Sequence, residues 1–196
     1  MFGCAEKTAQ TTDTGLESGP SLNSAMPVGA TASAIVELGD MYRAPETYDV
    51  EITVLEVLRG EKSMDLIKRA SASNDPAQNG FEYILARIRF EYSARGAPGD
   101  KTWDLSGSQF NAFSDDGKLY EIPSIVLPEP GLAGVLRSGD SRQGWIAFEI
   151  AKQDRKPLMT FIPGNIWFQL YQSSLVLGTE GMGSGRVRMA ISEPAT

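Results

Sequence analysis

The 196-residue sequence contains no histidine and a single cysteine. Without histidine there is no His-based catalytic triad, no histidine metal ligand and no histidine general base near neutral pH. A single cysteine excludes an internal disulfide bond and a zinc site built from cysteines. Carboxylate, lysine, serine and tyrosine chemistry remains, and no catalytic arrangement of these groups is recognisable. We therefore expect neither an enzyme nor a bound cofactor.

Long apolar runs and an excess of positive charge are also missing. No stretch approaches the ~18 consecutive apolar residues of a membrane-spanning helix. The 25 acidic and 18 basic residues give a net charge of -7. Because an acidic surface repels phosphate backbones, nucleic acid is not expected as a partner. Any link to a membrane is expected to be covalent or peripheral.

The lone cysteine, Cys4, follows Phe2 and Gly3. This order resembles the end of a bacterial lipobox, in which an apolar and a small residue precede the cysteine that becomes lipidated. An apolar region is then expected upstream of Met1, lost through a misplaced start codon or trimming. The sequence predicts a lipoprotein held at the membrane by acyl chains on Cys4. The alternative is a chance cysteine in a polar terminus.

Composition divides the chain into three parts. Residues 1–30 hold the lipobox remnant and a linker of Thr, Ser, Gly, Gln and Asn, which cannot bury enough apolar surface to fold. Residues 31–171 are predicted to form one β domain. Residues 172–196 are predicted as a flexible tail, with a strand at 187–191 as the alternative. The glycines of 178–185 lack the lysine and the following helix of a phosphate-binding loop.

Apolar and polar residues alternate in several short segments, which is typical of strands in antiparallel sheets. Residues 81–92 are the strongest example, and residues 31–38 are predicted as an edge strand. Trp145 is out of phase with its neighbours, so either it is exposed or its strand is buried on both faces. In residues 47–58 the apolar face consists of Tyr48, Val50, Ile52 and Val54.

Turn signals separate these segments. Asp116 and Gly117 predict a hairpin that joins residues 109–113 to 118–122, because glycine accepts the positive φ of such a turn. Pro163 and Gly164 lie between the last predicted pair of strands. Apolar residues in 61–69 predict one short helical turn. Seven to nine short strands with almost no helix predict an all-β fold, an immunoglobulin-like antiparallel β-sandwich.

The order of these features resembles the telokin-like family of immunoglobulin-fold domains, found in exported bacterial and archaeal proteins and lipoproteins. The resemblance is carried by NGFEYIL at 79–85, by residues 110–120 with their Asp-Gly turn, and by GWIAF at 144–148. It covers about residues 45–171 and departs from the family at Ser138, where proline is usual. It implies a fold and an exported location, and it brings no catalytic residues.

Trp103, Trp145 and Trp167 are candidates for lining a carbohydrate or peptide groove, and the alternative is packing in the sandwich core. Arg87 and Arg89 form a short basic strip, which cross-strand pairing with Asp49, Glu51 or Glu56 explains without a ligand.

Asp115 and Asp116 are weak candidates for calcium ligands, since paired carboxylates supply hard oxygen donors. Asp104, Ser114 and Asp140 are possible further donors. The alternative, which we prefer, is a polar hairpin turn. No metal is expected at this position.

These observations predict a lipid-anchored extracytoplasmic module, at the cell surface or in the periplasm, that binds an unidentified envelope protein, peptide or glycan. A calcium-dependent carbohydrate-binding protein or a carboxylate-based hydrolase using Asp115, Asp116 or Asp140 is the alternative. A purely structural spacer is a third possibility.

Overall fold

The computed structural model describes residues 25–40, 43–96, 101–172 and 188–190. Cys4, most of the predicted linker and most of the predicted tail lie outside the described residues. Ten strands and one helix make up the described part, with 3₁₀ turns at Gly107–Gln109 and Ile162–Gly164. The elements are β1 (Thr31–Asp40), β2 (Arg43–Arg59), α1 (Glu61–Ala70), β3 (Phe81–Ala94), β4 (Trp103–Leu105), β5 (Phe110–Phe113), β6 (Gly134–Leu136), β7 (Ser141–Ala151), β8 (Leu158–Phe161), β9 (Ile166–Gln169) and β10 (Arg188–Ala190).

The strands form three sheets. The largest has five strands in the order β10-β1-β2-β3-β7, a second has the order β5-β8-β9, and β4 pairs with β6 alone. All of these pairings are antiparallel except that of β1 with β10. The predicted all-β, antiparallel class is thereby confirmed, and the specifically immunoglobulin-like arrangement stays a prediction.

The two larger sheets face each other across one hydrophobic core. Phe161 of β8 lies 5.6 Å from Phe90 of β3 and 5.2 Å from Phe110 of β5, measured between ring centroids. Trp103 of β4 is 6.1 Å from the same ring. Because these aromatic side chains bury large apolar areas, they join the layers into a sandwich.

The predicted apolar face of β2 is confirmed, since Tyr48, Val50, Ile52 and Val54 are fully buried, and the alternation ends at a bulge between Val54 and Glu56. In β3 the two faces pack against different partners. One face enters the main core, whereas Tyr83 and Leu85 on the other join Ile67 of α1 and Trp145 of β7 in a second, smaller core. Of the two readings of Trp145, burial on both faces of the strand is the one observed, and Trp145 is 7% exposed.

Helix α1 covers the outer face of β3. Its first turn is fixed by Ser63, whose Oγ donates to the carbonyls of Gly60 (2.8 Å) and Tyr83 (2.6 Å). Acidic Glu61 at the start and basic Lys68 near the end complement the helix dipole. With ten residues, α1 is longer than the single helical turn predicted, because the sheet beneath it stabilises a marginal helix. Among the described residues, no helix has the length and apolar character needed to cross a bilayer.

The chain crosses between the two layers on both sides of the sandwich. On one side, Met26 N donates to Trp167 O of β9 (2.8 Å) before the chain enters β1. On the other, Tyr120 N donates to Ala112 O of β5 (2.8 Å), and the next residue, Glu121, accepts a hydrogen bond from the amide of Glu149 in β7 (3.2 Å). The predicted hairpin of 109–113 with 118–122 is therefore short, because residue 121 already pairs with the opposite sheet.

Two predicted boundaries differ from the structure. Ala25 is buried and Met26 pairs with β9, so the folded part begins before residue 31. The alternative of a strand near 187–191 is observed as β10, which pairs with residues 33–35 of β1. The prediction of β1 as an edge strand was therefore wrong. Both differences depend on pairing with distant residues, which local composition does not encode.

Gly144 provides a test of the packing at the edge of β7. A Cβ atom on Gly144 would lie 2.4 Å from both Gly131 C and Leu132 N, whereas a Cβ on Gly131 would meet nothing within 4 Å. We expect Gly144→Ala to lower the unfolding free energy by about 1–3 kcal/mol, because backbone atoms must move. Gly131→Ala is the matched control, expected within about 0.5 kcal/mol of the unmodified protein. Urea denaturation measures both, and equal effects would contradict the described contact.

Candidate functional site

A groove of about 490 Å³ opens at the end of the sandwich where β7 ends and β3 begins. The segments around it are residues 78–81, 114–121 and 149–154, so its walls come from three parts of the chain. Lys118 is its only basic lining residue among the described residues. The acidic lining residues are Asp115, Asp116, Glu121, Glu149 and Asp154.

The floor of the groove is a buried hydrogen-bonded pair. Tyr120 Oη donates to Asp154 Oδ2 at 2.8 Å, and both residues are buried. Asp154 Oδ1 accepts from the amide of Lys156 at 2.9 Å, which holds the turn after β7. Burial, together with the hydrogen bond to Asp154 and the charge of its carboxylate, raises the pKa of Tyr120 to about 12. The phenol therefore remains a hydrogen-bond donor at neutral pH.

Arg59, at the end of β2, also holds the turn that contains Asp154. Arg59 Nη2 donates to the carbonyl of Asp154 at 2.8 Å and to Glu82 Oε1 at 2.6 Å. Arg59 and Glu82 are both partly buried, with side-chain exposures of 24% and 17%. The end of β2 and the start of β3 thereby fix the backbone that carries Asp154. The groove is consequently built on the sheet and not on the loops alone.

The rim is the turn that contains the two candidate calcium ligands. Ser114 Oγ donates a hydrogen bond to Asp116 Oδ1. Ser114 Oγ also accepts a hydrogen bond from the amide of Lys118 at 2.9 Å. The hydrogen bond from Ser114 holds the pKa of the Asp116 carboxyl below its usual range. Gly117, with φ 84°, closes the turn as predicted. The polar-turn reading thus accounts for Asp116 without a metal.

The other candidate donors are not brought to this rim. Asp104 lies on β4, and Asp140 accepts a hydrogen bond from the amide of Arg137 at 2.7 Å in the turn before β7. Neither lines the groove. Over the described ranges, no three acidic or cysteine side chains are arranged to hold a metal ion.

The three tryptophans do not line one groove. Trp103 is packed in the main core and Trp145 in the second core, each 7% exposed. Trp167 points away from the main core on the opposite face of β9, with its ring centroid 5.2 Å from that of Phe113. The core-packing alternative accounts for two of the three, and a binding role for Trp167 stays a prediction.

The predicted cross-strand pairing of the arginine strip is found only in part, since Glu56 lies opposite Arg87 in the strand register, whereas Asp49 and Glu51 lie opposite neither arginine. Arg89 Nε lies 3.8 Å from Glu91 Oε1 of its own strand, and Arg87 Nη2 donates to Gln143 Oε1 at 3.4 Å. Asp49, predicted as a partner, instead binds Arg95 at 2.8 Å. The bulge between Val54 and Glu56 is what brings Glu56 opposite Arg87.

Comparisons with known proteins find a distant structural similarity. No protein-family model matches the chain, and no curated protein matches it. Among solved structures the chain is similar to YcdA of Bacillus subtilis, provisionally described as a lipoprotein, with a TM-score of 0.45 and 8% identity. The match covers 61% of this chain and 35% of the YcdA chain. Similarity at this level does not establish a shared fold or activity, so the telokin-like resemblance stays a prediction.

Sequence reasoning found part of the groove and missed its floor. Asp115 and Asp116 were identified through the turn in which they lie. Tyr120 and Asp154 are 34 positions apart, and no local pattern links them. The one available signal was that Asp154 lies in a loop after a strand, because binding residues are often found on loops held by a rigid scaffold.

Tyr120→Phe tests the floor of the groove. The change leaves the buried Asp154 carboxylate without one donor, so we expect the unfolding free energy to fall by about 1–3 kcal/mol at pH 7. Tyr83→Phe is the matched control, because Tyr83 is equally buried and its hydroxyl makes no hydrogen bond to another described residue. Denaturation with urea would contradict the proposed floor if the two variants were equally stable.

The same residue gives a pH dependence of stability. The pKa of Tyr120 is about 12 in the folded protein and 10.0 in the reference state, so the unfolded chain loses its proton first. The stabilisation is complete below pH 10 and is lost as the pH rises towards 12. We expect urea midpoints measured at pH 8, 10 and 11 to fall less steeply for Tyr120→Phe than for the unmodified protein. Parallel curves would contradict the assignment.

Proposed function

We propose that this protein is an extracytoplasmic binding module, tethered to a membrane by a lipid on Cys4, which takes a cationic segment of an envelope protein or peptide in the end groove. The observation that carries the proposal is the groove itself, with acidic walls above a floor held by buried hydrogen bonds. We further propose that the sandwich is immunoglobulin-like, as the telokin-like resemblance implies, and that it has no catalytic role.

The charge of the groove supports a cationic partner. Glu149 Oε1 accepts from the amide of Gln78 at 2.6 Å, and Asp154 is held by Tyr120, so these two carboxylates already have partners. Asp115 and Glu121 are exposed and make no side-chain hydrogen bond or ion pair with any other described residue. Two unpaired carboxylates in a concave site attract positive charge more strongly than the same groups on a convex surface.

The rigidity of the groove also supports binding. The turn of residues 151–157 is anchored by Arg59 and Tyr120, and the rim turn is closed by Ser114. Loops held in one conformation by a scaffold lose little entropy when a ligand binds. Apolar groups beside the carboxylates, contributed by Phe81 and Leu119, suit the aliphatic stem of a lysine or arginine.

The tether is proposed from the lipobox-like order at Cys4. Its 21 positions to Ala25 span at most roughly 70 Å when fully extended. Such a length keeps the module within reach of membrane-bound partners. A tether of this kind raises the effective concentration of partners in the same membrane.

Cys4→Ser tests the tether. Expressed from the protein's own gene, the unmodified chain is expected in the membrane fraction with acyl groups on Cys4, measured by mass spectrometry of the N-terminal peptide. The variant is expected to lose the acyl mass and to leave the membrane fraction, because one thiol carries the anchor. Unmodified chain that remains in the cytosol without acyl groups would contradict the proposal.

A double charge reversal, Asp115→Lys with Glu121→Lys, tests the groove. The probe is a lysine-rich decapeptide titrated at low salt and followed by amide chemical shifts in the unmodified protein. We expect shift changes in residues 114–121 and 149–154, and at least tenfold weaker binding by the double variant, equivalent to about 1.4 kcal/mol.

The matched control, Asp65→Lys with Asp104→Lys, makes the same change in net charge at two exposed positions outside the groove. It is expected to weaken binding about twofold at most, because exposed charges farther away are screened. Equal weakening by both double variants would mean that net charge alone determines how tightly the peptide binds. The groove would then not be the binding site.

A further inference from the structure

The outer face of the three-stranded sheet carries an apolar patch that neither core includes. We define this outer patch as Phe113 of β5, Leu158 of β8, Trp167 of β9 and Leu119 of the crossing segment. Phe113 pairs with Leu158 on one side and with Leu119 on the other. Trp167 pairs with Thr160, which lies two residues from Leu158 on the same face of β8. All four side chains therefore lie on one face of the sheet.

The outer patch is fixed in shape and open to its surroundings. Leu119 is 55% exposed, whereas Leu158, opposite Phe113, is 5% exposed. The rings of Phe113 and Trp167 are tilted by 39° with centroids 5.2 Å apart. Trp167 Nε1 donates to Asn165 Oδ1 at 3.2 Å, which orients the indole. None of the four belongs to either hydrophobic core of the described part.

The point at which the tether joins the sheet lies beside this patch. Met26 N donates to Trp167 O and Met26 O accepts from Gln169 N, both at 2.8 Å. Gln169 Nε2 donates to Ala25 O at 3.2 Å. The first described residues, Ala25 and Met26, therefore lie along the edge of β9. A lipid on Cys4, 21 positions before Ala25, would hold this edge of the sandwich within roughly 70 Å of the membrane.

We propose that the outer patch rests on the phospholipid surface that holds the Cys4 anchor, an inference that depends on the proposed tether and not on the proposed groove. Indole rings with an apolar body and a polar N–H favour the interface between headgroups and acyl chains. The tether keeps the local lipid concentration high, so a small patch is sufficient. Asp115 and Asp116 follow Phe113 closely and would be repelled by anionic headgroups, so the outer patch is expected to favour zwitterionic lipid.

The experiment uses the one thiol of the chain to build the tether chemically. The full chain is coupled through Cys4 to a maleimide lipid in phosphatidylcholine vesicles that also contain a spin-labelled phosphatidylcholine. Trp103 and Trp145 are buried, so quenching by the spin label reports Trp167. We expect the loss of up to about one third of the emission, the share of one tryptophan among three. Trp167→Phe is expected to abolish this loss.

Two variants separate the outer patch from general apolar attraction. Leu119→Ser is expected to reduce the quenching at least twofold. Val135→Ser, at a 65% exposed position on β6, is the matched control and is expected to leave it unchanged. Both residues are exposed, so both variants are expected to fold.

The absence of quenching, or equal quenching in Leu119→Ser and Val135→Ser, would overturn the proposal. So would a Trp167 emission shift that depends on protein concentration without lipid, since a second copy would then cover the patch. Because the tether is made chemically, the result does not depend on whether the cell lipidates Cys4. Failure of the natural anchor and failure of the patch are thereby distinguishable.

Discussion

The contact of Phe161 with three other aromatic rings is the interaction on which the rest of the structure depends. Phe161 is fully buried on β8, and its neighbours Phe90, Phe110 and Trp103 belong to the five-stranded sheet, to the three-stranded sheet and to the β4–β6 pair. One side chain thus joins all three sheets. A sheet with one apolar face is not stable alone in water, so the layers form through this shared core.

The groove and the outer patch both follow from the way the chain crosses between the layers. Tyr120 is hydrogen-bonded to β5, and the next residue, Glu121, is hydrogen-bonded to β7. This change of partner places the rim turn opposite the end of β7 and creates a concave site. At Met26 the chain pairs with β9 before it continues into β1, so the first described residues lie beside Trp167. The crossing segment contributes Leu119 to the groove and to the outer patch. A partner held in the groove would therefore lie near the side of the module that faces the membrane, as proposed above.

The acidic groove is compatible with stability because its charges are divided between two environments. The buried carboxylate of Asp154 is satisfied by Tyr120 and by a backbone amide, whereas Asp115 and Glu121 remain in water. A buried carboxylate without hydrogen-bond donors would lower the stability of the fold by more than its charge could add to the free energy of binding. The same separation assigns different roles: Asp154 shapes the site, and the exposed carboxylates are available to a partner.

The sequence by itself determined the strands and their faces. Alternation places Tyr48, Val50, Ile52 and Val54 on one side because successive side chains of a strand point in opposite directions, which is a local property of the backbone. Glycine in the turn after Asp116 was predictable for the same reason. Only the tertiary structure decided that Trp145 is buried under α1, that β10 pairs with β1 and that Tyr120 meets Asp154. These features depend on contacts between residues far apart in the chain, and side-chain periodicity carries no information about which distant segment becomes the neighbour.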